Sequence, residues 1–209
     1  MSLPTLVRIF ESHRAPNPRR VSIFLAEKRV EVERVEVDIM AGEHFADAHR
    51  KKAGSHHVPV AELSDGSFLT ETVAICRYVE ALHPEPNLMG ADAKETAVIE
   101  MWQRRMEFSV LQNIAFVARH TIPAMQALEH EQVPEWGRAC ASRMEEALKG
   151  LDERLRESPF IAGARFTIAD ITAWVALDFM RVLRRGPPDG CEALLEWHDR
   201  VKARPSATV

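Results

Sequence analysis

The stretch VPVAELSDGSFLTETVAICRYVEALHP, residues 58–84, decides the fold of the first part of this chain. Its two short apolar runs, 58–63 and 67–70, flank an Asp-Gly dipeptide, a turn signal between antiparallel strands. The remaining run, 70–84, has helical spacing and stops at His-Pro, because the residue before a proline disfavours the helical conformation. The pattern predicts a β-hairpin that passes directly into an α-helix.

Upstream of the hairpin, strand and helix signals alternate. The segments TLVRIF (5–10) and ERVEVDI (33–39) alternate apolar and polar residues, as half-buried strands do. Between them, HRAPNPRRVSIFLAEKR (13–29) turns from a proline-rich loop into an amphipathic run. Asn17 and Pro18 are predicted as the N-cap and the first helical position of that run. The predicted order is strand, helix, strand, an irregular stretch, strand, strand and helix.

The rest of the chain has no convincing strand signal after the turn-rich loop 84–90. Apolar stripes at helical spacing predict four helices, over 93–120, 135–157, 167–183 and 191–203. The third is apolar on nearly every side, which predicts the buried centre of this part. Thr167 and Asp170 at its start resemble a capping box in which Asp replaces the usual Glu, so Asp170 is interpreted as a folding signal.

Composition and charge restrict the class of protein. Apolar residues make up 46% of the chain and charged residues 28%, and 27 basic against 31 acidic side chains give a net charge of −4. These values argue for an ordinary globular protein and against general attraction to nucleic acid or anionic membranes. No apolar run approaches the roughly 20 residues that span a bilayer, and no signal-peptide pattern opens the chain. We therefore expect a cytoplasmic protein.

The cysteines and histidines do not form a recognisable metal or redox motif. Cys76, Cys140 and Cys191 lie in apolar segments without a C-x-x-C spacing, which argues against a disulfide framework, a zinc site or a two-cysteine redox centre. His56 and His57 are adjacent but have no Cys or Asp ligands nearby. No metal is expected.

Two positions in the hairpin and helix are candidates for ligand binding. Pro59 heads an apparent central strand, so it marks either simple strand initiation or a cis turn in which Val58 offers its backbone to an extended peptide. Glu71-Thr72 stands where a strand passes into a helix, and free N–H groups there bind a carboxylate while the Glu takes an ammonium group. The alternative is capping alone, by Thr70 or Thr72.

Asn17 is the third candidate. As an N-cap it has a sufficient structural role, worth about 1 kcal/mol against Ala. Its amide could also donate a hydrogen bond to an anion at the same helix end, where Arg14, Arg19 and Arg20 raise the local positive potential. The alternative for these arginines is that they face solvent.

The order of these motifs resembles that of cytosolic glutathione S-transferases. The segments that carry the resemblance are HRAPNPRRVSIFLAEK, HHVPVAEL, DGSFLTETVAICRYVE and FIAGARFTIADITAWVAL, with MWQRRMEF (101–108) similar to the opening helix of the second domain in bacterial members. The resemblance implies an α/β thioredoxin-like, glutathione-binding N-terminal domain (1–84), a linker (85–91) and an all-α C-terminal domain (92–209). It also implies a homodimer, with glutathione as co-substrate.

The resemblance also assigns roles to individual residues. It implies that the backbone of Val58 pairs with the cysteinyl unit of glutathione, that Pro59 is the family's cis-proline, and that Glu71 and Thr72 grip the γ-glutamyl end. His57 falls where Lys or Gln often approaches the glycine carboxylate.

His44 is a second candidate for the same end of glutathione. The chain also departs from the family pattern: the usual catalytic serine falls at Ala15 and is absent, so Asn17, with the amides around it, becomes the candidate thiolate stabiliser, while Ser12 lies upstream. The frequent NPxG before the cis-proline reads AGSH (53–56).

The first functional hypothesis is transfer of glutathione to a small electrophilic, hydrophobic substrate. Arg105, Ser109 and Gln112 form a polar strip at i, i+4 and i+7 on the predicted long helix and are candidates for the second-substrate site; the alternatives are the dimer partner or solvent. A second hypothesis is another glutathione-dependent reaction, such as peroxide reduction, dehalogenation or removal of glutathione from mixed disulfides, the last of which normally needs a cysteine at the helix start. A third, suggested by Ala15, is a non-catalytic glutathione-binding or assembly module.

Overall fold

The computed structural model describes residues 3–209, and these divide into two compact units. The first ends at Asn87 and the second runs Leu88–Thr208. This boundary falls inside the stretch 85–91; its role as a linker stays a prediction. No helix in the described range is long and apolar enough to cross a bilayer.

The first unit is an α/β structure built on one mixed sheet. Its elements are β1 (Leu6–Glu11), α1 (Pro16–Lys28), β2 (Glu33–Glu36), α2 (Asp47–Ala53), β3 (Val60–Leu63), β4 (Phe68–Thr70) and α3 (Thr72–Leu82). The strand order is β2-β1-β3-β4, with β1 parallel to β2 and antiparallel to β3, and β3 antiparallel to β4. The predicted hairpin and the helix after it are confirmed.

The core of the first unit is apolar and follows the predicted periodicity. Ile9, Val21, Phe24, Val60 and Ile75 are fully buried, and α1 packs against α3. β1 and β3 are the two central strands of the sheet. The loop that follows β1 and the turn that precedes β3 are therefore each attached to the middle of the sheet.

The stretch expected to be irregular contains a short 3-10 helix, Glu43–Phe45, and α2. Sequence periodicity missed α2 because it is a single short amphipathic segment, in which His49 and Ala53 alone are buried. Helix propensity has little force at this length, and tertiary packing decides the conformation.

The second unit is helical, as predicted. Its helices are α4 (Ala93–Arg105), α5 (Gln112–Thr121), α6 (Pro134–Glu157), α7 (Ile168–Phe179) and α8 (Glu192–Lys202). α4 and α5 are parts of one long helix, joined by the π-helical segment Met106–Leu111. In α7 every residue from Ile168 to Leu177 is buried, which confirms it as the centre of this unit.

The predicted capping box of α7 is also confirmed. The Thr167 side chain accepts a hydrogen bond from the backbone N–H of Asp170, and the Asp170 carboxylate accepts one from the Thr167 N–H at 2.9 Å. The same carboxylate accepts hydrogen bonds from the Ile161 N–H and from Trp197 Nε1, both at 3.0 Å. Asp170 therefore joins the start of α7 to the loop before it and to α8.

Candidate active site

The start of α1 differs from the prediction. The helix begins at Pro16, its N-cap is Ala15 with an extended backbone, and no side chain caps it. The prediction that Asn17 is the N-cap and Pro18 the first helical residue is therefore wrong. Pro16 takes the first position because a proline has the φ of a helix already and has no N–H to leave unpaired there.

The first turn of α1 offers few backbone donors. Pro16 and Pro18 have no N–H, and the Arg19 N–H donates to the carbonyl oxygen of Ala15 at 3.3 Å. The Ala15 N–H donates to Ser12 O at 2.9 Å. Among the described residues nothing accepts the N–H of Asn17, so it is the one backbone donor of this turn left for a ligand.

The side chain of Asn17 is exposed and its amide is held on one side. Its Oδ1 accepts from Nη1 of Arg20 at 3.0 Å, and its backbone carbonyl accepts from Thr72 Oγ1 at 3.4 Å. Nδ2 makes no hydrogen bond to any described residue. The Thr72 contact brings the starts of α1 and α3 together.

Ser12, the other hydroxyl near this turn, is buried just after β1 and is already engaged. Its Oγ donates to Glu36 at 3.3 Å, and the same carboxylate accepts from the backbone N–H of His13 at 3.2 Å. Desolvation alone would raise the pKa of Glu36, but the hydrogen bonds from His13 and Ser12 lower it below its ordinary value. Ser12 therefore anchors the loop.

The segment before β3 presents unpaired backbone. The Val58–Pro59 peptide bond is cis, as the resemblance implies, and the N–H and C=O groups of Val58 make no hydrogen bond to described residues. The Val58 side chain packs against an apolar cluster formed by Phe10, Val37, Ala53 and Val60. Just before it, the buried His49 donates from Nε2 to the His57 carbonyl at 2.9 Å, which holds this segment to α2.

The start of α3 is open as well. Glu71 is its N-cap, is exposed and has φ 66° and ψ 118°, a conformation that non-glycine residues rarely adopt. No side chain caps the helix, and Thr72 Oγ1 points instead to α1. Capping by Thr70 or Thr72 is therefore not what shapes this junction. Strained backbone of this kind persists at binding sites, where the surrounding structure holds it in place.

The two histidine candidates are placed differently. The side chain of His57 is exposed, whereas His44 is buried within the 3-10 helix with its ring 3.9 Å from that of Phe45. His56 Nδ1 donates to the His44 carbonyl oxygen at 3.1 Å. This hydrogen bond links the 3-10 helix that contains His44 to the residues just before the cis-proline, where His57 lies.

The comparisons with known proteins agree with this geometry. The family "Glutathione S-transferase, N-terminal domain" matches residues 15–82, and "Glutathione S-transferase, C-terminal domain" matches 134–200. Glutathione S-transferase 2 of Saccharomyces cerevisiae is 35% identical over 201 residues, which are 95% of this chain and 86% of that protein. The chain belongs to the glutathione S-transferase family.

Solved structures extend the likeness to three dimensions. A glutathione S-transferase domain-containing protein from Marinobacter aquaeolei VT8 is 38% identical and superposes with a TM-score of 0.93 over 96% of this chain and 99% of that one. Gtt2 from Saccharomyces cerevisiae is 35% identical and has the same TM-score over 97% and 99% of the two chains. The protein is thus a glutathione transferase with a thioredoxin-like N-terminal and an all-helical C-terminal domain.

In the second unit of this transferase, the predicted polar strip does not lie on a regular helix. Arg105, Ser109 and Gln112 are all exposed, but Met106–Leu111 is π-helical, so the i, i+4, i+7 spacing of an α-helix does not relate them. Arg105 stacks over the ring of Trp102 at 4.7 Å. Among the described residues no cluster of three or more His, Cys, Asp or Glu side chains could hold a metal.

Sequence reasoning missed two residues at this site. For Arg20 the sequence left two interpretations, a contribution to the local positive potential or exposure to solvent, and the residue is 2% exposed; His49 was not considered. For Arg20 a signal existed: it follows Asn17 by three residues, and residues at i and i+3 of a helix are neighbours.

Proposed function

We propose that this enzyme transfers the thiolate of glutathione to a small, hydrophobic electrophile and that Asn17 stabilises the thiolate. The observation that carries the proposal is the first turn of α1, where two prolines leave Asn17 as the one residue with an unpaired backbone donor and an unpaired side-chain donor. In the reaction, the sulfur forms a bond to the electrophilic carbon, the thiol proton passes to solvent, and any leaving group departs with its electron pair.

The remaining contacts to glutathione follow from the open backbone of the first unit. The unpaired N–H and C=O of Val58, next to Pro59, suit the cysteinyl unit, which would bind as an added strand. The uncapped start of α3 at Thr72 suits the γ-glutamyl carboxylate, and the exposed Glu71 suits its ammonium group. Of the two histidine candidates for the glycine carboxylate, His57 is the better supported because the His44 ring is buried.

The energy needed for activation is modest. A free thiol has a pKa of about 8.5, and each unit of depression corresponds to about 1.4 kcal/mol of preferential binding of the thiolate. A partly buried helix end contributes up to about 2 kcal/mol. A hydrogen bond to a charged group contributes about 1.5–3 kcal/mol. The two donors of Asn17 therefore suffice for a depression of one or two units without any hydroxyl.

Thiol exchange by the protein itself is not supported. Cys76, Cys140 and Cys191 are buried, and burial raises the pKa of the Cys140 and Cys191 thiols. A nucleophilic cysteine needs the opposite, an accessible thiol with a depressed pKa. No cysteine lies at the start of α1, where Ala15 precedes the helix, so the nucleophile at this position would be the sulfur of glutathione.

For the second substrate, the exposed side chains Arg105, Ser109 and Gln112 remain candidates, although the π-helical segment weakens the spacing on which they were grouped. Homodimer formation is a further part of the proposal. Light scattering on the purified protein tests it, and a mass close to the 23.6 kDa of one chain would contradict it.

The central test compares two substitutions of Asn17. Asn17→Ala removes the side-chain donor and keeps the backbone N–H, while Asn17→Asp keeps the shape and the contact to Arg20 but replaces the donor by a charged acceptor. We expect the bound thiol pKa, read from the ultraviolet absorbance of thiolate against pH, to rise by about one unit in Asn17→Ala and further in Asn17→Asp.

Calorimetry and a control separate activation from binding. Glutathione affinity should change less than turnover with a chromogenic electrophile, because the sulfur contact acts mainly on the thiolate. Ser12→Ala is the matched control and should leave the thiol pKa unchanged. A normal thiol pKa in Asn17→Ala, or a raised one in Ser12→Ala alone, contradicts the role given to Asn17.

A further inference from the structure

Arg20 is a buried cation with a specific partner at the site. It lies in α1, is 2% exposed, and donates from Nη1 to Oδ1 of Asn17 at 3.0 Å. A buried charge is costly unless hydrogen bonds satisfy it, and Oδ1 of Asn17 accepts one of the hydrogen bonds that Arg20 makes. This contact matters for the site because of what it does to Asn17.

The contact determines which way the amide faces. An asparagine side chain can present either its oxygen or its nitrogen to a neighbour, but a guanidinium has no acceptor. Oδ1 must therefore face Arg20, and Nδ2 with its two hydrogens must face the other way, where no described residue accepts them. Without Arg20 the amide could rotate and present an oxygen to an incoming anion.

The contact also changes the strength of the donor. A cation on the amide oxygen draws electron density from the amide, and hydrogen bonds that follow one another in this way polarise and strengthen each other. Arg20 thus strengthens the hydrogen bond from Nδ2 to an anion by polarising the neutral amide between them, while the guanidinium itself stays buried.

We propose that Arg20 is a positioning residue for the transferase reaction: it holds Oδ1 of Asn17 so that the Nδ2 hydrogens are directed at, and strengthened toward, the sulfur of glutathione. The inference rests on the proposed function of Asn17. A guanidinium that only filled space in the core would have no influence on the titration of the bound thiol.

A double-mutant cycle on the full-length enzyme tests this. The variants are Arg20→Met, Asn17→Ala and the two combined, with Arg14→Met as the control, because Arg14 is an exposed arginine of the loop just before α1. The readouts are the pKa of the bound thiol from thiolate absorbance, kcat/KM against pH, and the Kd for glutathione. Circular dichroism verifies that each variant is folded.

We expect Arg20→Met to raise the bound thiol pKa by about one unit, so that about tenfold less thiolate is present well below that pKa. The Kd should stay within about threefold, and in the Asn17→Ala background Arg20→Met should add nothing further. If Arg20→Met does not fold, the same cycle is run with Arg20→Gln, which removes the charge and can accept as well as donate, so that Oδ1 of Asn17 is no longer fixed toward residue 20. A shift in the same direction, again dependent on Asn17, is expected.

Each remaining outcome overturns the inference in a recognisable way. If Asn17→Ala raises the thiol pKa and the Arg20 variants do not, Arg20 is only structural while the role of Asn17 stands. A shift that persists undiminished in the Asn17→Ala background means that Arg20 acts directly by its charge. If Asn17→Ala itself has no effect, the proposed function of Asn17 fails together with the inference. A shift in Arg14→Met as large as in Arg20→Met reduces the effect to net charge.

Discussion

Asp170 offers the sharpest test of what stabilises the second unit, because burial and hydrogen bonding change the pKa of its carboxyl group in opposite directions. Burial raises the pKa of Asp170 from 3.8 to about 6, against hydrogen bonds from Ile161, Trp197 and Thr167 that work to lower it. The protonated form fits the site because Thr167 Oγ1, at 3.0 Å, is a hydroxyl that can accept as well as donate. The three N–H donors keep their acceptors in either state.

The sign of the pH dependence follows from the raised pKa. A carboxyl that binds its proton more tightly when folded stabilises the fold fully below its unfolded pKa of about 3.9, and this contribution is lost as the pH rises through about 6. A difference of about two units corresponds to about 3 kcal/mol in total, of which about half is lost between about pH 5 and pH 8.

Asp170→Ala leaves the N–H groups of Ile161, Thr167 and Trp197 without an acceptor. At about 1.5 kcal/mol for each buried donor, the substitution costs about 4.5 kcal/mol when Asp170 is protonated in both states. Subtracting the ionisation terms gives an expected loss of about 3 kcal/mol near pH 5 and about 1.5 kcal/mol near pH 8. Urea unfolding followed by tryptophan fluorescence at both pH values measures the difference.

Asp170→Asn is the matched control, because it keeps the shape, cannot ionise and leaves one N–H of the three unpaired. It should be close to wild type near pH 5 and more stable by about 1.5 kcal/mol near pH 8. A loss for Asp170→Ala that stays constant or grows with pH would refute the reasoning, since it would mean that the hydrogen bonds outweigh burial. Glutathione affinity at 25 °C should not change in either variant, because Asp170 contacts no residue of the proposed site.

Three further substitutions test other features. His49→Ala removes the hydrogen bond that holds the segment before the cis-proline, so glutathione affinity should fall about fivefold by calorimetry, about 1 kcal/mol, and an unchanged Kd counts against a positioning role. Lys28→Met removes the buried ammonium that pairs with the largely buried carboxylate of Glu80 and should lower the free energy of unfolding by about 3 kcal/mol. The double variant Lys28→Met/Glu80→Gln should restore more than half of this loss, and no loss in Lys28→Met would show that the pair is not needed. Gly90→Ala would put a Cβ against the backbone nitrogen of Thr96 in α4, so it should cost about 2–3 kcal/mol in urea unfolding. Gly66→Ala, where φ is also positive (82° against 107°) but the space is open, should cost about 1 kcal/mol, and equal costs would exclude the contact as the cause.

The sequence predicted most elements because their signals are local. The hairpin, α3 and the start of α7 depend on turn residues, periodicity and a capping box, which neighbouring residues determine together. The start of α1 was misplaced because both Asn17-Pro18 and Ala15-Pro16 satisfy the rules for a helix start. The choice falls to Pro16 through the turn in which Ala15 donates to Ser12, and this contact has no sequence signal.

The other errors concern tertiary contacts. α2 is too short to form by propensity, and the burial of His49 depends on the segment before the cis-proline. Arginine is mostly exposed in proteins, so the residue type of Arg20 gives no sign of burial, which depends on what packs around α1. The π-helical segment, Met106–Leu111, could not be recognised from the sequence, because the apolar residues of this long helix already recur at mixed spacings of three and four.

The two prolines of the first turn of α1 have a further consequence, which concerns the denticity of the anion that can bind there. A phosphate or carboxylate has two or three acceptor oxygens and is usually held at a helix start by several adjacent N–H groups. α3, which has no proline in its first turn, has such a set, whereas α1 has one backbone N–H and one amide on a single residue. These donors of α1 suit an anion whose charge sits on one atom, as in the proposed thiolate, better than the polyoxygen anions that other helix ends attract.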